Sequence, residues 1–272
     1  MATTTQGLAG VESGLSELRG RLFFVLFALL VYRIGTHIPV PGINPDQLRS
    51  LFEANQGGIL DVFNMFSGGA LERMSILALG PMPYITSSII MNLMTMMYPS
   101  LSQLRKEGDA GRRKITQYTR YGTVLIGLVQ GTALTGTLAG QGLAFSPGPG
   151  FYFVSVTTLV TGALFVMWLG EQITERGIGN GISLLIFSGI VSGFPSAVGQ
   201  AFEAARQGDI NIIVLLLIGG IAFLIVGFVV FIERGQRRIT VNYAKRQQGR
   251  RLYQAQTSHL PLKINMAGVI PA

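Results

Sequence analysis

The run from Ile212 to Ile232 holds twenty-one residues and not one charge. At about 1.5 Å per residue a helix of that length reaches about 30 Å, the thickness of a bilayer's hydrocarbon core. Comparable apolar runs recur at Leu22–Ile38, Ser75–Met97, Tyr118–Leu138, Phe151–Leu169 and Ile182–Val198. In hydrocarbon no water satisfies a backbone N–H or C=O, so only helices and closed barrels can span it. Runs of this length fix the choice: an all-α, polytopic membrane bundle with six spans. The composition agrees. Charged residues make up 12% of the chain, against about 25% in a soluble domain.

A net charge of +8 must therefore sit in the loops. Five basic and two acidic residues lie between Arg105 and Lys114, and eight basic and one acidic between Glu233 and Lys263. The positive-inside rule puts these two loops and the N-terminus in the cytoplasm. Acidic Glu12 and Glu17 ahead of the first run, and Arg33, Pro39 and Pro41 after or near its end, read against a cleavable signal peptide. The closing "INMAGVIPA" begins a seventh apolar run that stops at once, as expected of a fragment.

Several functions are excluded by what the spans lack. The chain has no cysteine, and His37 and His259 lie in different loops or span ends. Disulfides, thiolate chemistry and a Cys/His metal centre are ruled out. No Ser-His, Asp-Asp or His-Glu-x-x-His arrangement lies within the membrane, so no enzyme is expected, and no cofactor. Gly177, Gly179 and Gly181 follow no strand, so they are not a nucleotide loop.

One run does not resemble a lipid-facing anchor. "FSGGALERMSILALGPMPYITSSIIMNLMTMM", Phe66 to Met97, carries Gly68-Gly69, Glu72-Arg73, Gly80, Pro81, Pro83, Thr86, Ser87, Ser88 and Asn92. Each proline removes a backbone donor, and irregular backbone at membrane depth survives only against protein or a water-filled cavity. The segment predicts a short piece near Ile59 to Arg73, a break, then a helix. On that helix Pro81, Ile85, Ile89 and Asn92 share one face, with Thr86, Ile90 and Leu93 beside it. A kinked packing helix whose hydroxyls bond its own backbone fits the pattern; so does a pore-lining helix with aliphatic side chains at a constriction. Likewise Ile182, Ile186 and Ile190 form a stripe that suits core packing or a pore.

The blocks "DVFNMFSGGALERMSILALGPMPYITSSII", "EGDAGRRKITQYTRYGT", "WLGEQITERGIGNGIS" and "ERGQRRITVNYAKRQ" resemble the SecY family, channel subunits of the bacterial Sec protein-translocation complex. The likeness runs in order from the first span to the end. It implies ten spans in two inverted halves around an hourglass pore. This chain would supply a cytoplasmic segment (1–21), the first half (22–202), and the start of the second (203–272), with a basic loop at 233–263. The family's pore ring falls on Pro81, Ile85, Ile182 and Ile186, Pro81 standing where the family carries isoleucine. Its plug falls on about 59–73, with Leu60, Phe63, Phe66, Gly68 and Gly69.

The resemblance further implies a lateral gate, for whose polar lining Thr86, Asn92 and Gln130 are the candidates. It places a docking surface for the ribosome, including its RNA, or for the SecA motor ATPase on Arg237, Arg238, Lys245, Arg246, Arg250 and Arg251. Guanidinium forks bind phosphate and carboxylate bidentately. The expected function is the central subunit of a passive channel that moves unfolded secretory proteins across the bacterial cytoplasmic (inner) membrane and inserts membrane proteins into it. Expected partners are SecE, SecG, SecA, the ribosome, signal sequences, nascent chains and lipid. A secondary transporter for a small solute also uses broken helices at mid-membrane, but the second, fifth and sixth spans carry no ionisable group deep inside to couple an ion.

Overall fold

In the computed structural model, residues 4–44, 47–48, 50, 64–65, 67–208, 211–242, 247–248, 251–252 and 257–263 are described. Helices α1 (Thr4–Gly35), α2 (Met82–Met97), α3 (Pro99–Lys106), α4 (Asp109–Gly140), α5 (Pro149–Arg176), α6 (Gly181–Gln207) and α7 (Ile212–Arg234) follow in order. Among the described residues, α4, α5, α6 and α7 are long and apolar enough to cross a membrane. The chain divides into two compact units, residues 1–196 and 197–272.

In the first unit, small residues set the packing. Along α4, Thr119, Thr123, Gly127, Gly131 and Thr135 recur every fourth residue and are all buried. A Cβ on Gly127 or Gly131 would touch Val160 or Val156 of α5, so this stripe lets the two helices approach. Lipid tails are as apolar as leucine and drive no hydrophobic association, so close van der Waals contact between small residues takes over. Arg120 on α4 and Glu171 on α5 add a two-pronged ion pair at 2.7 and 3.1 Å. Ser87 of α2 donates to the Thr119 carbonyl at 2.7 Å, binding α2 to α4.

The break in the second run is real. Residues 67–81 form successive turns, with Gly68, Gly69, Gly80 and Met74 at positive φ. Much of this stretch is buried: Ala70 and Leu77 are fully covered and Met74 nearly so. Its backbone is satisfied by the loop after α1, where Val40 N donates to the Met74 carbonyl and Ile76 N to the Ile38 carbonyl. A Cβ on Gly162 of α5 would lie 1.8 Å from the Ile76 carbonyl oxygen, so only glycine lets the turns pass. The prolines start a helix here. Pro81 is the N-cap of α2 and Pro83 lies in its first turn, where the missing N–H has no helical partner to lose.

Two apolar clusters hold this unit. One gathers Val40, Ile43, Leu48, Leu71, Met74, Ala78, Leu138, Leu143 and Leu159. The other gathers Ala28, Tyr32, Leu77, Val166, Leu169, Ile173 and Leu185. Leu71, Met74 and Ala78 from the turns enter the first and Leu77 the second, so the interrupted segment is core material.

The second unit holds α7, capped by Asn211 on Ile213 N, and two strand pairs. β1 (Gln236–Asn242) pairs antiparallel with β4 (Thr257–Lys263), Gln236 opposite Lys263 and Thr240 opposite His259. β2 (Gln247–Gln248) pairs with β3 (Arg251–Leu252). The sequence reading expected a basic loop here and did not anticipate strands.

Candidate functional site: helix entrances and the turns between them

The proposed constriction residues sit at the starts of α2 and α6. Pro81 is fully buried at the α2 cap. Ile85 lies one turn on, half-buried, across the helix from Pro83 and Ser87, which face α4. Ile89 and Asn92 share its face and become more exposed along the helix. The more and less buried faces of α2 are thus opposite one another, and Ile85 is on the less buried side.

Helix α6 begins after a tight turn. Asn180 caps it, its Oδ1 accepting from Ile182 N and Ser183 N, while Gly181 N donates to Thr174 Oγ1 at 2.8 Å. A Cβ on Gly181 would lie 2.0 Å from the Gly170 carbonyl oxygen. Gly181, Leu185 and Gly189 form the buried stripe of α6. Ile182 and Ile186 flank that stripe, both half-buried. Ile182 rests on α5, where a Cβ on Gly170 would come within 2.9 Å of its Cδ1. Ile190, next in the stripe, is exposed. Among the described residues, α2 and α6 share no extended packing with each other.

Of the expected plug, Leu60, Phe63 and Phe66 lie outside the described residues, and Gly68 and Gly69 lie within them. The loop around these glycines closes on itself. Asn64 Nδ2 donates to Glu72 Oε2 at 3.2 Å, and its Oδ1 accepts from Glu72 N at 3.0 Å. Ser67 Oγ donates to the Asn64 carbonyl and accepts from Leu71 N. Glu72 therefore has a partner at the break. Nη1 of Arg73, by contrast, is buried without a hydrogen-bond partner among the described residues.

Sequence reasoning passed over what touches this loop from outside. Tyr32 and Arg33, adjacent near the end of α1, donate to the adjacent carbonyls of Ser67 (3.2 Å) and Gly68 (2.8 Å). The same Arg33 nitrogen reaches Ser192 Oγ on α6 at 3.1 Å. The available signal was an arginine inside an otherwise apolar run, a costly placement that demands acceptors.

The candidate gate residues are spread over two helices. Thr86 Oγ1 bonds the Met82 carbonyl of its own helix at 3.0 Å, Asn92 is exposed, and Gln130 is half-buried on α4. Of the docking residues, Arg237 and Arg238 are exposed on β1; strand alternation sends them to opposite faces. Arg251 begins β3. Lys245, Arg246 and Arg250 lie outside the described residues.

The SecY family model matches residues 75–272. The chain is 69% identical over 261 residues to the protein translocase subunit SecY of Pseudomonas aeruginosa, covering 96% of this chain and 59% of that protein. To the SecY of Escherichia coli K12 it is 59% identical over 265 residues, covering 96% of this chain and 60% of that protein. The chain thus spans about 60% of the length of these curated relatives. Its fold resembles a solved protein conducting channel, with a TM-score of 0.61 at 19% identity, over 90% of this chain and 53% of the other. A canine Sec61 ribosome–channel complex gives 0.58 at 19% identity, over 82% and 49%. The chain is a multi-pass membrane protein and belongs to the SecY family.

Proposed function

We propose that this chain is the N-terminal part of the pore-forming subunit of a passive protein-conducting channel in the bacterial cytoplasmic (inner) membrane, with its N-terminus in the cytoplasm. The observation that carries the reading is the pair of half-buried isoleucines near the starts of α2 and α6, Ile85 on one and Ile186 on the other, on helices that meet a buried, non-helical segment. Irregular backbone at membrane depth needs protein or water beside it, and a narrow aliphatic ring dewets while offering a passing chain no specific bond. Such a ring suits a pore that must hold ions back yet accept any sequence. Pro81, Ile85, Ile182 and Ile186 would supply part of it.

An opening toward lipid lets partition decide a segment's fate. Each buried CH₂ is worth about 0.8 kcal/mol, so an oily signal sequence leaves sideways past Thr86, Asn92 and Gln130 while a polar one continues through. No bond to the substrate is made or broken, and the work comes from outside. We assign SecE and SecG as companion subunits, and the SecA motor or the ribosome as the partner docking on the basic hairpin. The names of the relatives support this reading over a small-solute transporter.

Conductance across planar bilayers tests the proposal. In the complete channel, Ile85→Gly, Ile182→Gly and Ile186→Gly should each raise the ion current of the resting channel, and the current should rise further when they are combined. Currents that stay at the parent level in all of them would remove these residues from the constriction.

A further inference from the structure

We propose that Tyr32 and Arg33 form a clamp that seats the root of the plug, so that α1 sets how often the resting channel opens. The proposal rests on the channel reading and names residues that the reading does not use. Five observations meet here. First, the two donors are consecutive in α1 and the two acceptors, the Ser67 and Gly68 carbonyls, are consecutive in the turns, at 3.2 and 2.8 Å. Two neighbouring contacts fix direction as well as distance. Second, the Tyr32 half of the site is covered: Tyr32 is 1% exposed and Ser67 4%, so water cannot replace that bond without movement, while Arg33 is half-buried.

Third, the Arg33 nitrogen also engages Ser192 Oγ at 3.1 Å, and that hydroxyl donates to the Gly189 carbonyl at 2.7 Å. One guanidinium thereby joins α1, the plug root and α6. Fourth, Gly68 approaches α6 closely, since a Cβ there would lie 3.0 Å from the Gly189 Cα. Fifth, Gly68 sits at φ +69, a backbone conformation that other residues rarely adopt.

The chemistry explains why the residue is an arginine. Among the described residues no carboxylate pairs with Arg33; its acceptors are a carbonyl and a hydroxyl. A charged donor makes a stronger bond than a neutral one, and a charge inside a membrane protein is held only while its acceptors stay in place. Displacing the root therefore costs the guanidinium its carbonyl acceptor and leaves it the Ser192 hydroxyl. The seated state is favoured by that difference, which makes Arg33 a positioning residue for the plug. Gly68 N and Gly69 N are themselves bonded, to the Met65 and Asn64 carbonyls, so the two glycines belong to the seat.

The test uses the complete channel in planar bilayers. Arg33→Gln should raise the open fraction of the resting channel by about tenfold, the shift that about 1.4 kcal/mol produces, with Arg33→Lys intermediate. Tyr32→Phe, which removes one hydroxyl, should raise it less. Arg19→Gln, on an exposed arginine of the same helix, should leave it unchanged. A cysteine at position 67, in a chain with none of its own, should react faster with a membrane-impermeant maleimide in the Arg33→Gln background. Parent-level current and labelling in both Arg33→Gln and Tyr32→Phe would overturn the clamp. If Arg33→Gln does not assemble, Tyr32→Phe decides alone. Leak in the Ile85→Gly channel together with a tight Arg33→Gln channel would sink the clamp and spare the channel reading; tightness in both sinks the channel reading.

Discussion

At the scale of single residues, hydroxyls that look alike in sequence do different work. Thr86 bonds the Met82 carbonyl of its own helix. Its neighbour Ser87 crosses to the Thr119 carbonyl of α4, which also accepts from Thr123 Oγ1. Interhelical bonds of this kind are worth about 0.6 to 1.7 kcal/mol in a membrane protein. Ser87→Ala should therefore lower the thermal midpoint of the detergent-solubilised channel, and Thr86→Ala should not. An equal effect of both would place Ser87 among the locally satisfied hydroxyls. Periodicity marked this helix as two-faced and left the choice between packing and pore open. The partner of Ser87 could not be read, because a contact 32 residues away leaves no local trace.

At the scale of elements, glycines decide where helices and turns can cross. A Cβ on Gly162 would meet the Ile76 carbonyl at 1.8 Å, and one on Gly181 the Gly170 carbonyl at 2.0 Å. Both clashes are with backbone, which cannot rotate away as a side chain can. Gly162→Ala and Gly181→Ala should each reduce the amount of folded protein in membranes, measured by protease resistance. Gly136→Ala, with nothing within 4 Å, should accumulate normally. Protease resistance of Gly162→Ala at the parent level would contradict the crossing. The broken second run was legible in Gly80, Pro81 and Pro83, since prolines cannot continue a helix. That Pro81 and Pro83 would begin α2 was not, because a proline's effect depends on which side of it the helix lies. The hairpin of β1 and β4 was also missed, its basic residues having been read as loop.

At the scale of the whole molecule, the docking role proposed for the basic hairpin and the constriction proposed for Ile85, Ile182 and Ile186 have separate tests. Strand alternation puts Arg237 with Ile239 and Leu262 on one face and Arg238 with Thr240 and Pro261 on the other. In the docking proposed above, the two arginines meet the ribosome from different faces of the hairpin. Arg237→Glu and Arg238→Glu should thus weaken ribosome binding to channel-bearing vesicles unequally, and together more than either alone, with the difference shrinking as salt rises. Binding equal to the parent in the double variant at low salt would refute the docking role. Four of the six expected spans appear as helices long and apolar enough to cross a membrane, and these were legible because length and hydropathy are local properties.

The central claim is that Ile85 and Ile186 border the path of a passing polypeptide. A translocating chain arrested in the complete channel, carrying one cysteine, should form a disulfide with a cysteine at position 85 or 186 and none with one at position 223, on the exposed face of α7. Disulfides at 223 and none at 85 or 186 would place the path elsewhere and contradict the account.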